Sequence, residues 1–168
     1  MLKNVKYLLG VIALTATTIS FADTSVQMKL TAEKGTGKSI GTIKITETDH
    51  GLLFTPNLHD LTPGIHGFHI HQKDSCAQNG MAAGGHLDPK NTEKHLGPFD
   101  DDGHLGDLPP LYVSAVGTST LPVLAPRLTK IDDIKNHTLM IHNGGDNYSD
   151  KPEKLGGGDG RMVCGVIG

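Results

Sequence analysis

SVQMKLTAEKGTGKSIGTIKITE, residues 25–47, sets Val26, Met28, Leu30 and Ala32 at every second position, then Ile40, Ile43 and Ile45 among threonines beyond a glycine-containing KGTGK. Side chains alternate between the two faces of a strand, so a period of two reads as β-structure. Two such runs across a short glycine-rich break read as a hairpin. The same vocabulary continues outward from it, in LLFTPNL (52–58), GIHGFHIHQ (64–72), LYVSAV (111–116), STLPVLA (119–125), TLMIHN (138–143) and RMVCGVI (161–167). Only IDDIKN (131–136) offers a turn or so of helix. Twenty-two glycines, nine prolines and no tryptophan argue against a helical bundle. The expected fold is all-β, an antiparallel sandwich or barrel. Two segments rich in Gly, Pro, Asp and Asn, 73–110 and 143–160, interrupt the strands. Loops that long in a compact domain are uncommon and usually functional or disordered, so something has to hold them in place.

The first residues read differently. MLKNVKYLLGVIALTATTISFA carries Lys3 and Lys6, an uncharged run from Tyr7 to Ile19, and small residues at Ser20 and Ala22. That is the pattern of a secretory signal peptide, residues 1–22, cut between Ala22 and Asp23. The apolar run is short of the ~20 residues that span a bilayer. The remaining 23–168 has the length of one domain. Removing Lys3 and Lys6 takes the formal charge from −3 to −5, which suits neither a nucleic-acid partner nor an anionic membrane surface. In an exported chain the even pair Cys76 and Cys164 reads as a disulfide; two buried free thiols are the other reading.

Ten histidines are spread unevenly. His69 and His71, two apart on a strand candidate, share one face and make a two-nitrogen clamp, although two solvent-facing rings would have the same spacing. GGHLDPKNTEKHLGPFDDDGHLGD then supplies His86, His95, His104 and Asp107. Three imidazoles and a carboxylate are what a closed tetrahedral zinc site takes, and a metal could staple a loop with little core of its own. His86 could serve either the clamp or the loop. His142, on an apolar strand, could equally be a satisfied core residue. Arg161, three residues before Cys164, is a cation beside this cluster in an acidic chain, which suggests an anionic ligand or substrate.

GFHIH, AGGHLDP, HLGPFDDDGHLGDLP, APRL, LMIHNGGDNYSD and GGGDGRMVCGVIG together resemble the copper–zinc superoxide dismutases, in particular their bacterial periplasmic branch. The six motifs fall in the family's order and cover essentially all of 23–168. The resemblance implies a Greek-key sandwich or barrel with 73–110 and 143–160 as functional loops. It implies copper on His69, His71, His86 and His142, and zinc on His86, His95, His104 and Asp107, so that His86 bridges the two metals. Asp146 would orient a ligand of each metal, Arg161 would draw in superoxide, and Cys76 would pair with Cys164. His86 and Arg161 are thus the expected catalytic residues. The periplasm is the implied compartment, and the family includes homodimers as well as monomers. His50, His59, His66 and His137 match no ligand position and are expected to be surface or structural.

Two other functions fit parts of the pattern. A copper chaperone or zinc buffer on the same scaffold would be expected to show exposed Cys or Met ligands and incomplete coordination, where this chain has complete sets for two metals and Arg161. A zinc hydrolase would keep a water in the fourth position. Here Asp107 fills it and no general base stands by.

Overall fold

The computed structural model describes residues 22–168; the expected signal peptide lies outside them except for Ala22. The described chain is almost entirely β. In order, its strands are β1 (Asp23–Thr31), β2 (Thr36–Thr48), β3 (Gly51–Leu58), β4 (Gly64–His66), β5 (Phe68–His71), β6 (Leu111–Val113), β7 (Val123–Ala125), β8 (Thr138–His142) and β9 (Arg161–Val166). The expected helical turn is a single 3-10 turn, Ile131–Ile134. Two others that the sequence did not announce, Met81–Ala83 and Lys154–Gly157, lie inside the long loops.

Seven strands form one curled sheet in the order β5-β8-β9-β1-β2-β3-β7, and β4 pairs with β6. Every pairing is antiparallel. The opening hairpin is β1–β2, with Val26 opposite Ile43. Strands distant in sequence are neighbours in space, the first beside the last, which is the Greek-key kind of connection expected. The run 119–125 shortens to β7, where only Val123–Ala125 pairs with β3. Pro122 cannot donate to a ladder, and Ser119 makes only an isolated bridge to Leu58.

Alternation decides what each face carries. Val26 and Met28, Ile43 and Ile45, Leu52 and Phe54, Phe68 and Ile70, and Leu139 and Ile141 are buried in one core, where Phe54 and Phe68 meet edge to face. The residues between them on β5 and β8 are His69, His71, Thr138, Met140 and His142, and they are buried too. They lie on the outer face of the barrel wall, under the two loops. The first loop is stitched to the free edge of β5: Ile70 N–H donates to Gly106 O and Leu87 N–H to Ile70 O, each at 2.8 Å. A side chain at 106 would run into the Ile70 carbonyl, so glycine is required for that approach.

Cys76 and Cys164 form a disulfide across 88 positions, with Cα atoms 5.8 Å apart. It packs with Ala83 and Met140 in a small apolar cluster on that same outer face, and so ties the start of the first loop to β9. Replacing both cysteines by serine is expected to lower the urea-unfolding free energy by about 2–5 kcal/mol while the β spectrum persists. A loss below about 1 kcal/mol would mean that other contacts already fix the loop.

Candidate metal centre

β5 places His69 and His71 side by side, and β8 brings His142 next to them through its antiparallel pairing with β5. His86 arrives from the first loop, which bridges back to β5 at His71. One ligand atom each from His69, His71, His86 and His142 lie within 4.8 Å of one another. A second group, His69, His86, His95 and Asp107, meets the same limit. His104 reaches this second group through Asp107, its Nδ1 lying 3.5 Å from Oδ1. The expected ligand residues other than His104 thus fall in one group or the other; His69, not expected beside the loop residues, is common to both with His86, and His104 lies just outside the second group.

Hydrogen bonds fix which nitrogen of each ring faces inward. Asp146 accepts from His69 Nε2 at 2.7 Å with one oxygen and from His95 Nε2 at 2.8 Å with the other. The Nδ1 atom of each ring is thereby turned to the centre. His71 donates through Nδ1 to Gly84 O at 2.9 Å, leaving Nε2 free, and that atom faces His142 Nε2 at 3.4 Å. Two imidazole nitrogens directed at each other, their far nitrogens bonded to carbonyls, are arranged as lone pairs around a shared cation. His86 points Nδ1 at Asp107 Oδ1, 2.8 Å away, and leaves Nε2 with no partner. His69 Nδ1, His95 Nδ1 and His104 Nδ1 are likewise buried without a hydrogen bond. Buried nitrogens left unpaired are costly, and three of them, on His69, His86 and His95, converging beside Asp107 is an arrangement that metal ions satisfy.

Electrostatics agree with the geometry. Burial, then the neighbouring His86, pushes the His69 ring down to about 3, and burial pushes His142 down to about 4. His71 lies well below the ordinary imidazole value for the same first reason, and His86 is lowered. These rings are neutral at pH 7 and keep a lone pair for a metal. On His95 burial acts downward too, yet the two carboxylates, Asp107 with an oxygen 3.0 Å from Nδ1 and Asp146 bonded to Nε2, outweigh it and raise the ring to about 9. Burial works against both carboxylates as well, but the surrounding histidines hold Asp107 and Asp146 well below the usual carboxylate range. Two carboxylates held as anions in a buried site call for positive charge.

Beside the first group opens a cavity of about 660 Å³, lined by His71, His86, His142, Met81, Lys154 and Arg161. Arg161 is held in place by donating Nη1 to Gly80 O and Nη2 to Gly84 O, each at 2.6 Å. Gly84 O thus serves both Arg161 and His71.

The family model described as copper/zinc superoxide dismutase (SODC) matches residues 39–167. The chain belongs to the copper/zinc superoxide dismutase family. It is 57% identical over 151 residues to superoxide dismutase [Cu-Zn] 1 of Salmonella typhimurium, a match covering 85% of each chain. It is similar to the solved Cu/Zn superoxide dismutase from Brucella abortus, at 50% identity and a TM-score of 0.83, over 88% of this chain and all of that one. The solution structure of the monomeric copper, zinc superoxide dismutase from Salmonella enterica is similar at 53% identity and a TM-score of 0.78, with the same coverage. As a member of this copper/zinc superoxide dismutase family the chain is an oxidoreductase whose cofactors are copper and zinc. The unpaired ring nitrogens fit that pair of metals.

The remaining histidines separate. His50 and His59 are exposed, and the partly exposed His137 bonds Gln72 O. His66 is buried, with Nδ1 2.8 Å from the carbonyl of His142 and Nε2 2.8 Å from that of Thr62, so it is a prop behind the first group. Asp150, which accepts the His95 backbone N–H at 2.9 Å, is a further support the sequence reading missed. Asp146→Ala is expected to lower affinity for both metals by about 10–100-fold, measured by competition with a chelator of known strength. A loss confined to one metal would contradict the shared support.

Proposed function

We propose that residues 23–168, exported as one domain after removal of 1–22, disproportionate superoxide to dioxygen and hydrogen peroxide. Copper would be held by His69, His71, His86 and His142, and zinc by His86, His95, His104 and Asp107, with His86 bonding both. The observation that carries this reading is the set of buried ring nitrogens without partners, arranged about His86. Four imidazoles suit copper, and three with one carboxylate suit zinc. Bound there, copper would supply a one-electron couple between successive superoxide anions, and zinc a charge with no redox step of its own.

The chain's residues account for the rest. Arg161 puts a half-buried cation at the wall of the cavity that reaches His71, His86 and His142, and a small anion entering would be bound there. Its two carbonyl anchors keep the guanidinium from swinging onto the ligands. Disproportionation consumes two protons per peroxide. His86, which lines the cavity, is the residue placed to relay one of them: whenever its Nε2 was not bonded to copper, that atom would take up a proton from solvent and pass it on. Solvent in the cavity supplies the other. A protein that only stored metal would have no use for a cation fixed at this point.

The disulfide supports export, since such bonds persist in oxidising compartments, and the periplasm is the compartment we propose. Every site residue comes from one chain, so a single copy suffices for the chemistry whether or not the chain forms a homodimer. The similar Salmonella enterica protein is monomeric.

Superoxide approaches a chain of formal charge −5 after processing, so a local field must offset the overall repulsion. Arg161→Ile is expected to lower the rate at low ionic strength by roughly tenfold or more and to flatten its salt dependence, with one copper and one zinc still bound. Loss of copper from this variant, or an unchanged rate, would overturn the role given to Arg161.

A further inference from the structure

The stretch from His95 to Asp107 carries three of the four residues assigned to zinc, yet it contains no strand and little side-chain core; Phe99, its one aromatic residue, is 69% exposed. Its end is stitched to β5 through Gly106, and the part between His95 and His104 is held on the barrel side by a guanidinium. Arg127 follows β7 and Pro126, and only 10% of its side chain is exposed. It donates Nη1 to the carbonyl of His104 at 2.9 Å and to that of Gly97 at 3.4 Å, and Nη2 to the carbonyl of Gly103 at 2.9 Å. Its Nε lies 3.3 Å from Asp101 Oδ1. All four partners fall within the interval between the outer zinc residues, and one is the backbone of His104 itself.

Burying a guanidinium costs several kcal/mol unless its hydrogen bonds are made. The ion pair with Asp101 cannot be the main return, because that carboxylate is 88% exposed and screened by water. The charge is spent on backbone carbonyls instead. Arginine suits this because its donors lie in one rigid plane, whereas a lysine ammonium is a point charge that cannot span three carbonyls in a fixed fork. None of the atoms it binds is a ligand atom. Its effect is on where the loop backbone sits, and through that on where Nδ1 of His104, Nδ1 of His95 and the Asp107 carboxylate sit.

We infer that Arg127 is a positioning residue for the zinc half of the centre, setting zinc affinity by clamping the loop that carries His95, His104 and Asp107. The inference rests on the zinc assignment proposed above. It is tested on the full mature chain with Arg127→Lys, which keeps the charge, Arg127→Met, which keeps the apolar stem, and Asp101→Asn. Zinc affinity is read by chelator competition and site geometry by the visible spectrum of the cobalt(II)-substituted protein; neither depends on superoxide turnover. Zinc affinity should fall about 10–100-fold in both Arg127 variants with altered cobalt bands, while copper uptake stays within about twofold and Asp101→Asn changes zinc affinity by less than about threefold. Zinc affinity within about twofold of the unsubstituted chain in both Arg127 variants, together with an unchanged cobalt spectrum, would overturn the inference and leave Arg127 with packing alone. An unsubstituted chain that took up no zinc would overturn the zinc assignment and this inference with it.

Discussion

The carboxylate of Asp146 is the contact on which the centre turns. One of its oxygens holds a ring on strand β5 and the other a ring on the first loop, both through Nε2. A rigid wall and a segment without regular structure are thereby set in one geometry, with both Nδ1 atoms turned inward. The residue sits in the second loop, so this single side chain also locks the two loops against each other. Tyr148 N–H donates to the oxygen that holds His95, and any side chain at position 156 would strike that oxygen, which is why glycine stands there. Ionised and almost enclosed, the carboxylate is held by its histidines well below the usual carboxylate range despite the cost of burial.

The rest of the fold can be understood as support for that arrangement. The barrel supplies an ordinary apolar core on one side of β5 and β8, and alternation delivers His69, His71 and His142 to the other. Desolvation keeps those rings neutral, and carbonyls behind them select the tautomer: Gly84 O for His71, and Asp146 in the same capacity for His69. The disulfide fixes the start of the first loop, whose Gly80 and Gly84 carbonyls then hold Arg161. A loop with little core is therefore secured at several points by bonds of different kinds. The placing of Arg161, the orientation of His71 and the anchoring of the loop are joined by shared atoms, of which Gly84 O, common to His71 and Arg161, is the plainest case.

Much of this was legible in the sequence, and the reason is periodicity. The alternation in 25–47 declared the hairpin, and H-x-H in GFHIH declared a pair on one face, because strand geometry fixes where every second side chain goes. The loop histidines were legible as a cluster by residue type, and the motifs in their order supplied the family. What the sequence left open were contacts made by backbone oxygens, since a carbonyl carries no letter of its own. Gly84 O and His142 O are such acceptors, and they explain why Arg161 and the buried His66 sit as they do. His142 was ambiguous from its apolar neighbours until pairing of β8 with β5 set it beside His71. The start of STLPVLA failed as strand because Pro122 breaks the ladder, leaving Val123–Ala125 as β7. Support from Arg127 and Asp150 depends on loop paths that no local pattern encodes.

The account's central claim is that these ring nitrogens hold a redox-active copper beside a zinc that takes no part in electron transfer. The most direct measurement is superoxide turnover by purified 23–168 loaded first with zinc alone and then with copper and zinc. The account predicts turnover only when copper is present. A folded, doubly loaded protein that leaves superoxide untouched, or one equally active with zinc alone, would contradict it.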